Sequence, residues 1–185
     1  MAKLAIFMAD GCEEIEALTV VDIIRRAKME IDTISITDSK EVTSSHKVTF
    51  RTDLTKAEAD FTQYDGVVLP GGMPGTLNLG TDETVNGVIT EYAEAGKLVS
   101  AICAAPSVLG QAGLLDGKKA TSYPGFADKM TGCTYLEEPV VRDDNIITSR
   151  GMGTAIAFGL AIVEYFTDGE TAKKLGESFM YRVND

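Results

Sequence analysis

The sequence predicts an α/β fold with a mainly parallel sheet, and two observations carry the prediction. Apolar runs about one strand long alternate with segments of helical periodicity. The residues best suited to chemistry fall at the ends of three of those runs, where an open parallel sheet gathers its ligands. Residues 4–8 read as the first strand. Residues 13–27 follow as a helix, with Ile15, Leu18, Val21 and Ile24 at helical spacing making an apolar face that Val20 and Ile23 broaden. Residues 31–36 alternate over most of their length, as a strand with one wetter face does, and 47–52 fit part of a hairpin. Gly66-Val67-Val68-Leu69 is a short buried strand ended by Pro70-Gly71-Gly72. Residues 82–95 form the next helix, stopped by Gly96, and 97–102 are the strand that leads into Cys103. Val140-Val141-Arg142 and Ile146-Ile147-Thr148 flank the turn Asp143-Asp144-Asn145. Residues 154–166 are apolar almost all round, as a helix buried on several sides is, and 170–180 make a more amphipathic last helix. No repeat or linker interrupts the pattern, and 185 residues suit one domain over 1–185.

Composition narrows the partners. A formal charge of −11 argues against nucleic acid and anionic membranes, both of which attract a basic face. No apolar run approaches the roughly 20 residues that span a bilayer. The opening run is too short and too soon acidic for a secretion signal, so a cytoplasmic location is expected. Cys12, Cys103 and Cys133 contain no C-x-x-C pair, which points to reduced thiols rather than a disulfide framework or a thiol-rich metal site. The lone histidine, His46, lies in a polar stretch and reads as a solvated loop residue, and one histidine excludes a multi-histidine metal site within the chain.

Cys103 stands between the apolar run 97–102 and Ala104-Ala105-Pro106-Ser107-Val108-Leu109, which reads as the opening of a helix. A strand passing into a helix across one residue makes a sharp turn and aims free N–H groups at that side chain, forming a nucleophile elbow. Small neighbours leave room for the turn, and Pro106 suits a first helical turn. A helix N-terminus is expected to lower the thiol's pKa. On this segment alone, a small buried hydrophobe is an equally good reading. Convergence with the other strand ends tips the balance. Gly71 and Gly72 are either a tight turn or, beside a nucleophile, N–H donors to an oxyanion. Of the three acids opening the first helix, Glu13, Glu14 and Glu16, the one between core-facing Ile15 and Leu18 is expected to be buried with a raised pKa, which selects Glu16.

Four blocks then resemble the DJ-1/ThiJ/PfpI superfamily, and most closely its DJ-1 branch with the bacterial YajL-like members. They are Asp10-Gly11-Cys12-Glu13-Glu14-Ile15-Glu16, Val68-Leu69-Pro70-Gly71-Gly72, Ala101-Ile102-Cys103-Ala104-Ala105-Pro106 and Thr148-Ser149-Arg150-Gly151-Met152-Gly153-Thr154. The resemblance implies a flavodoxin-like three-layer sandwich and a homodimer. By position it makes Cys103 the nucleophile, Glu16 the hydrogen-bonded carboxyl, and the backbones of Gly72 and Ala104 the donors, with no cofactor and no metal. The activities it implies are glutathione-independent glyoxalase or deglycase chemistry on small aldehydes such as methylglyoxal or on their adducts. The alternative it carries is a redox sensor or chaperone working through a Cys103 sulfinate. Two positions depart from the pattern. Tyr123 stands where human-type members have histidine, which disfavours a Cys–His dyad and leaves proton transfer to Glu16. Met152 replaces a proline between two glycines. Arg150 either pairs with an anionic substrate or neutralises nearby acids, the second being favoured by the charge balance.

Overall fold

A computed structural model describes residues 1–181, so the last four residues of the predicted domain lie outside the described residues. Its centre is a seven-stranded sheet. The strands are β1 (Lys3–Met8), β2 (Glu30–Ser35), β5 (Leu54–Thr55), β6 (Gly66–Leu69), β7 (Leu98–Ile102), β10 (Val140–Asp143) and β11 (Ile146–Ser149). Their order is β10-β11-β7-β6-β1-β2-β5, with every pairing parallel except the β10–β11 hairpin. The inner order β2-β1-β6-β7-β11 is that of the flavodoxin-like fold, whose direction of winding reverses beside β1. Small ladders lie outside it, β3 (Glu41–Thr43) with β4 (Thr49–Arg51) and β8 (Lys119–Ala120) with β9 (Thr134–Tyr135).

Alternation along β1 divides the core in two. Leu4, Ile6 and Met8 face α1 (Glu14–Arg26) and α5 (Ala155–Phe166), packing with Val20, Ile24, Phe158 and Ile162. Ala5, Phe7 and Ala9 face the other way, onto Leu79 of α2 (Gly75–Thr81), Ile89 and Tyr92 of α3 (Glu83–Glu94) and Leu109 of α4 (Pro106–Gln111). The last helix, α6 (Gly169–Ser178), packs on α5. These layers make the predicted sandwich. Among the described residues, no helix is long and apolar enough to cross a membrane.

Three local expectations change. The inner face of α1 is Glu16, Ala17, Val20, Val21, Ile23 and Ile24, whereas Ile15 and Leu18 stay 47% and 39% exposed. The helix carries apolar side chains on more than one side, so periodicity alone chose a face rotated from the buried one. Helix α4 begins three residues after Cys103, with 103–105 forming a turn, and is only six residues long. Helix α2 was not expected, because Gly75 and Gly80 lower helical propensity across seven residues. Helix α5 is buried along Ala155, Phe158, Gly159, Leu160, Ile162 and Val163, and leaves Ile156, Ala157, Ala161 and Tyr165 partly covered.

Candidate active site

Parallel register brings the site together. Leu69 pairs with Ala101 across β6–β7 and Ile102 with Ser149 across β7–β11, so the segments that leave these strands emerge side by side at one sheet edge. Cys103 is the first residue beyond β7 and holds φ at 65°. A β-carbon-bearing residue adopts that region at a cost of about 1 kcal/mol or more, which its surroundings must offset. Here they do so from two sides. The Cys103 N–H donates to the Ser149 carbonyl at 3.0 Å, and the Cys103 carbonyl accepts from the Tyr123 N–H at 2.8 Å. The elbow is therefore tied to two separate segments, and its cysteine is partly exposed.

The loop after β6 supplies the second component. Gly71 lies so close to the elbow that a Cβ there would come within 2.6 Å of both Cys103 Cβ and Glu16 Oε2. Gly72 has φ +92°, and a Cβ there would strike the Glu13 nitrogen at 2.2 Å. Both positions thus require glycine for reasons a simple tight turn would not impose. The N–H groups of Gly72 and Ala104 both hydrogen-bond toward the Cys103 sulfur, where they favour negative charge.

Glu16 is 1% exposed and projects from the inner face of α1. Its Oε2 accepts from the Gly71 N–H at 3.0 Å, and its carboxyl hydrogen-bonds with the Cys103 thiol. Burial raises its pKa to about 7, opposed by the bonds from Cys103 and Gly71 and reinforced by the charge of Glu13. Burial pushes the Cys103 thiol up to about 12, and the Glu16 carboxylate pushes the same way, against the lowering by Ala104 and Gly72. Burial and Glu16 thus oppose the lowering expected of a helix N-terminus. The helix meant to lower the thiol's pKa is short and starts late, while a buried acid sits beside the sulfur. Thiol and carboxyl face each other, so one proton can pass between them.

The remaining residues sort themselves by distance from this pair. Tyr123 is 52% exposed and lines an open cleft of about 380 Å³ with Pro124 and the segment 150–154. The Cβ position of Gly151 is 3.5 Å from the Tyr123 ring and 3.8 Å from Glu16 Oε1, so the cleft adjoins the carboxyl. Arg150 neutralises no acid among the described residues, contrary to the favoured expectation, and its Nη1 is buried without a hydrogen-bond partner. Cys12 is fully buried, and its thiol is pushed up to about 12, by burial first and then by the charge of Glu14. Cys133 donates to the Met130 carbonyl at 3.2 Å.

His46 is exposed as expected, with Nδ1 3.2 Å from Glu14. Together with Glu13 it places three ligand-type atoms within 4.8 Å, outside the thiol site. Sequence reasoning missed Ser149. Besides holding the elbow through its carbonyl, it donates from Oγ to Pro139 at 2.8 Å and bonds Thr154 Oγ1 at 2.6 Å. Thr154 Oγ1 in turn accepts from the Gly151 N–H at 3.1 Å, closing the loop beside Glu16. In the sequence Ser149 stands within the fourth resembling block and at the end of an apolar strand, but neither place assigns it a role.

Residues 2–165 match the model of the DJ-1/PfpI family. The chain is 38% identical over 95% of its length to protein DJ-1 homolog B of Arabidopsis thaliana, spanning 40% of that longer protein. It is 35% identical to the Schizosaccharomyces pombe protein named glutathione-independent glyoxalase DJ-1, covering 89% of this chain and 91% of that one. A solved structure of oxidized Toxoplasma gondii DJ-1 superposes with a TM-score of 0.95 at 34% identity, covering 99% of this chain and 100% of the other.

Proposed function

The chain belongs to the DJ-1/PfpI family, and we propose that it is a cofactor-free enzyme converting small α-oxoaldehydes or their early adducts through Cys103, in the manner of a glutathione-independent glyoxalase or deglycase. The observation that carries this reading is the pairing of a buried carboxyl, poised near neutrality, with an elbow thiol under two convergent N–H groups. The name of the fission-yeast relative supports the substrate class.

With methylglyoxal, the thiol proton passes to the Glu16 carboxylate as sulfur attacks the aldehyde carbon. The new S–C bond forms as the C=O π pair moves to oxygen, which takes the proton from Glu16 to give a hemithioacetal. The N–H groups of Gly72 and Ala104 stabilise negative charge as it develops around the sulfur. Glu16, ionised again, removes the hydrogen on the former aldehyde carbon while the ketone oxygen takes up a proton from water, giving an enediol; the hydroxyl on the first carbon then loses its proton to water as Glu16 returns its own to the neighbouring carbon. That carbon is reduced while the first is oxidised, leaving a thioester. Water cleaves it to lactate and restores the thiol, so the net change is addition of one water and no external oxidant enters. Incubation with methylglyoxal without glutathione tests this: lactate forms with the native chain and not with Cys103→Ala.

A second reading rests on the same convergence. A Cys103 sulfinate would be held by the two N–H groups and by the proton of the Glu16 carboxyl, whose pKa burial raises. Mild peroxide giving the sulfinate, with no lactate from methylglyoxal, favours this sensor role. The homodimer belongs with either reading, and the exposed Ile15 and Leu18 of α1, which border a cleft with Ile156 and Phe179, are the face we assign to the second copy.

A further inference from the structure

We propose that Arg150 and the cleft around it form a subsite for an oxyanion, carboxylate or phosphate, carried by the compound whose carbonyl Cys103 attacks. The inference deepens the aldehyde-converting reading and rests on it, because it names the kind of aldehyde the site prefers.

Three features lead to it. The guanidinium makes no ion pair and no hydrogen bond among the described residues, although the chain carries 28 acidic side chains against 17 basic ones. Leaving a charged donor buried and unsatisfied costs about 1–3 kcal/mol or more, so the unpaired Nη1 marks a guanidinium whose charge the described residues leave uncompensated. Second, Arg150 lines the open cleft that Tyr123, Met152 and Gly153 complete, and Gly151 joins that cleft to Glu16. An aldehyde engaged by Cys103 would extend its substituent toward it. Third, Glu13, Glu14 and Glu16 all lie on the α1 side of the site, where their field repels anions. A cation with no acidic partner among the described residues reverses that sign locally, and its planar fork fits a carboxylate or phosphate through two parallel N–H bonds. The half-exposed Tyr123 and Met152 give the cleft apolar walls for the atoms that link the anion to the carbonyl.

Alkylation of Cys103 tests the subsite without any turnover. Iodoacetate and iodoacetamide form the same S–C bond and expel the same iodide, differing only in carboxylate against amide. For the native chain, the ratio of their rates at Cys103, read by peptide mass spectrometry, is expected to exceed that of the urea-unfolded chain by about tenfold. Arg150→Gln should remove most of that gain, with Arg150→Lys in between. Inorganic phosphate or acetate should slow iodoacetate selectively, the stronger of the two identifying the preferred anion. A folded ratio equal to or below the unfolded one overturns the proposal, and the wild-type measurement decides even if the variants fail to fold. The second arm compares 4-carboxyphenylglyoxal with phenylglyoxal by kcat/KM: the charged compound is favoured by the native chain, and Arg150→Gln lowers that preference about tenfold. An enhanced alkylation ratio with neither glyoxal converted would sink the enzymatic reading while leaving the anion subsite standing.

Discussion

The Gly71 N–H donates to Glu16 Oε2 at 3.0 Å, and a methyl group on Gly71 would meet that same oxygen at 2.6 Å. One backbone position thus sets the carboxyl's location by attraction and limits it by contact. The same methyl would meet the β-carbon of Cys103 at 2.6 Å, so the spacing of the thiol and the carboxyl depends on a residue that has no side chain of its own.

Gly71→Ala is therefore expected to force the thiol and carboxyl apart. Overpacking of this kind costs about 1–3 kcal/mol of stability, and a displacement near 1 Å at the reacting groups costs about a hundredfold in rate. Thermal unfolding and lactate formation measure the two effects. Native activity in a correctly folded Gly71→Ala chain would show that the spacing is not critical.

Glu16→Gln separates chemistry from stability, because the two move in opposite directions. Methylglyoxal conversion should fall by about 10²–10⁴-fold, and the native rise in rate with pH, centred near 7, should vanish with it. Stability follows from the folded carboxyl holding its proton up to about pH 7 while the unfolded one releases it near 4.5. Between those values the folded chain binds more protons, so native stability falls as pH rises, and above 7 the loss is constant. Glutamine carries no such penalty. The variant should be more stable than the native chain at pH 8, by about 3 kcal/mol at most, with the difference shrinking toward pH 4.5. Equal stabilities at both pH values would contradict a raised Glu16 pKa.

Much of the architecture was legible in the sequence, since strand-length apolar runs and helical periodicity describe the sheet and its longer helices directly. Glu16 was identified for a reason the structure reverses. It is buried because the inner face of α1 runs through Glu16, Ala17 and Val20, while the flanking Ile15 and Leu18 point outward. An acid on a core face gives no periodic signal, so periodicity ranked the exposed apolar residues above it. Cys103, Gly71 and Gly72 were legible because sharp turns restrict residue choice. The thiol's electrostatics were not, because they depend on burial and on the Glu16 carboxyl, a residue 87 positions earlier in the chain. Ser149 was invisible because it acts mainly through its carbonyl, which every residue possesses.

Tyr123→Phe should retain most of the native turnover. The side chain is half exposed at the cleft, and its clearest tie to the elbow is the backbone N–H, which phenylalanine keeps. A phenol with an ordinary pKa of about 10 is also a poor base near neutrality. Loss of turnover in Tyr123→Phe together with survival in Glu16→Gln would reassign the proton transfer to the phenol.

Competitive alkylation should label Cys103 ahead of Cys12 and Cys133. Cys12 has no access to reagent, and the Cys133 thiol is bonded to the Met130 carbonyl. With a thiol rather than a standing thiolate, Cys103 should react faster as Glu16 ionises, so the labelling rate climbs through pH 7. Preferential labelling of Cys12 would remove the basis of the mechanism.

Sedimentation of the native chain is expected to give twice the mass of one chain, and Leu18→Lys to shift it toward one. Leu18 is 39% exposed and lines the outer cleft with Ile15 and Phe179, so the substitution tests the outer face of α1. A native single-chain mass would refute the assignment of that face.

Helix α1 turns Glu16 inward and Ile15 and Leu18 outward within a single turn. Neighbouring residues on a helix stand about 100° apart around its axis and about 1.5 Å along it. Rotation or sliding of the helix therefore carries all three side chains together. The proton relay has a mechanical tolerance, and that tolerance belongs to the seating of a whole helix rather than to the hydrogen bonds of one carboxyl. Under the proposed mechanism, a shift of α1 at its two outward leucine-sized side chains would also alter the spacing of Glu16 from Cys103.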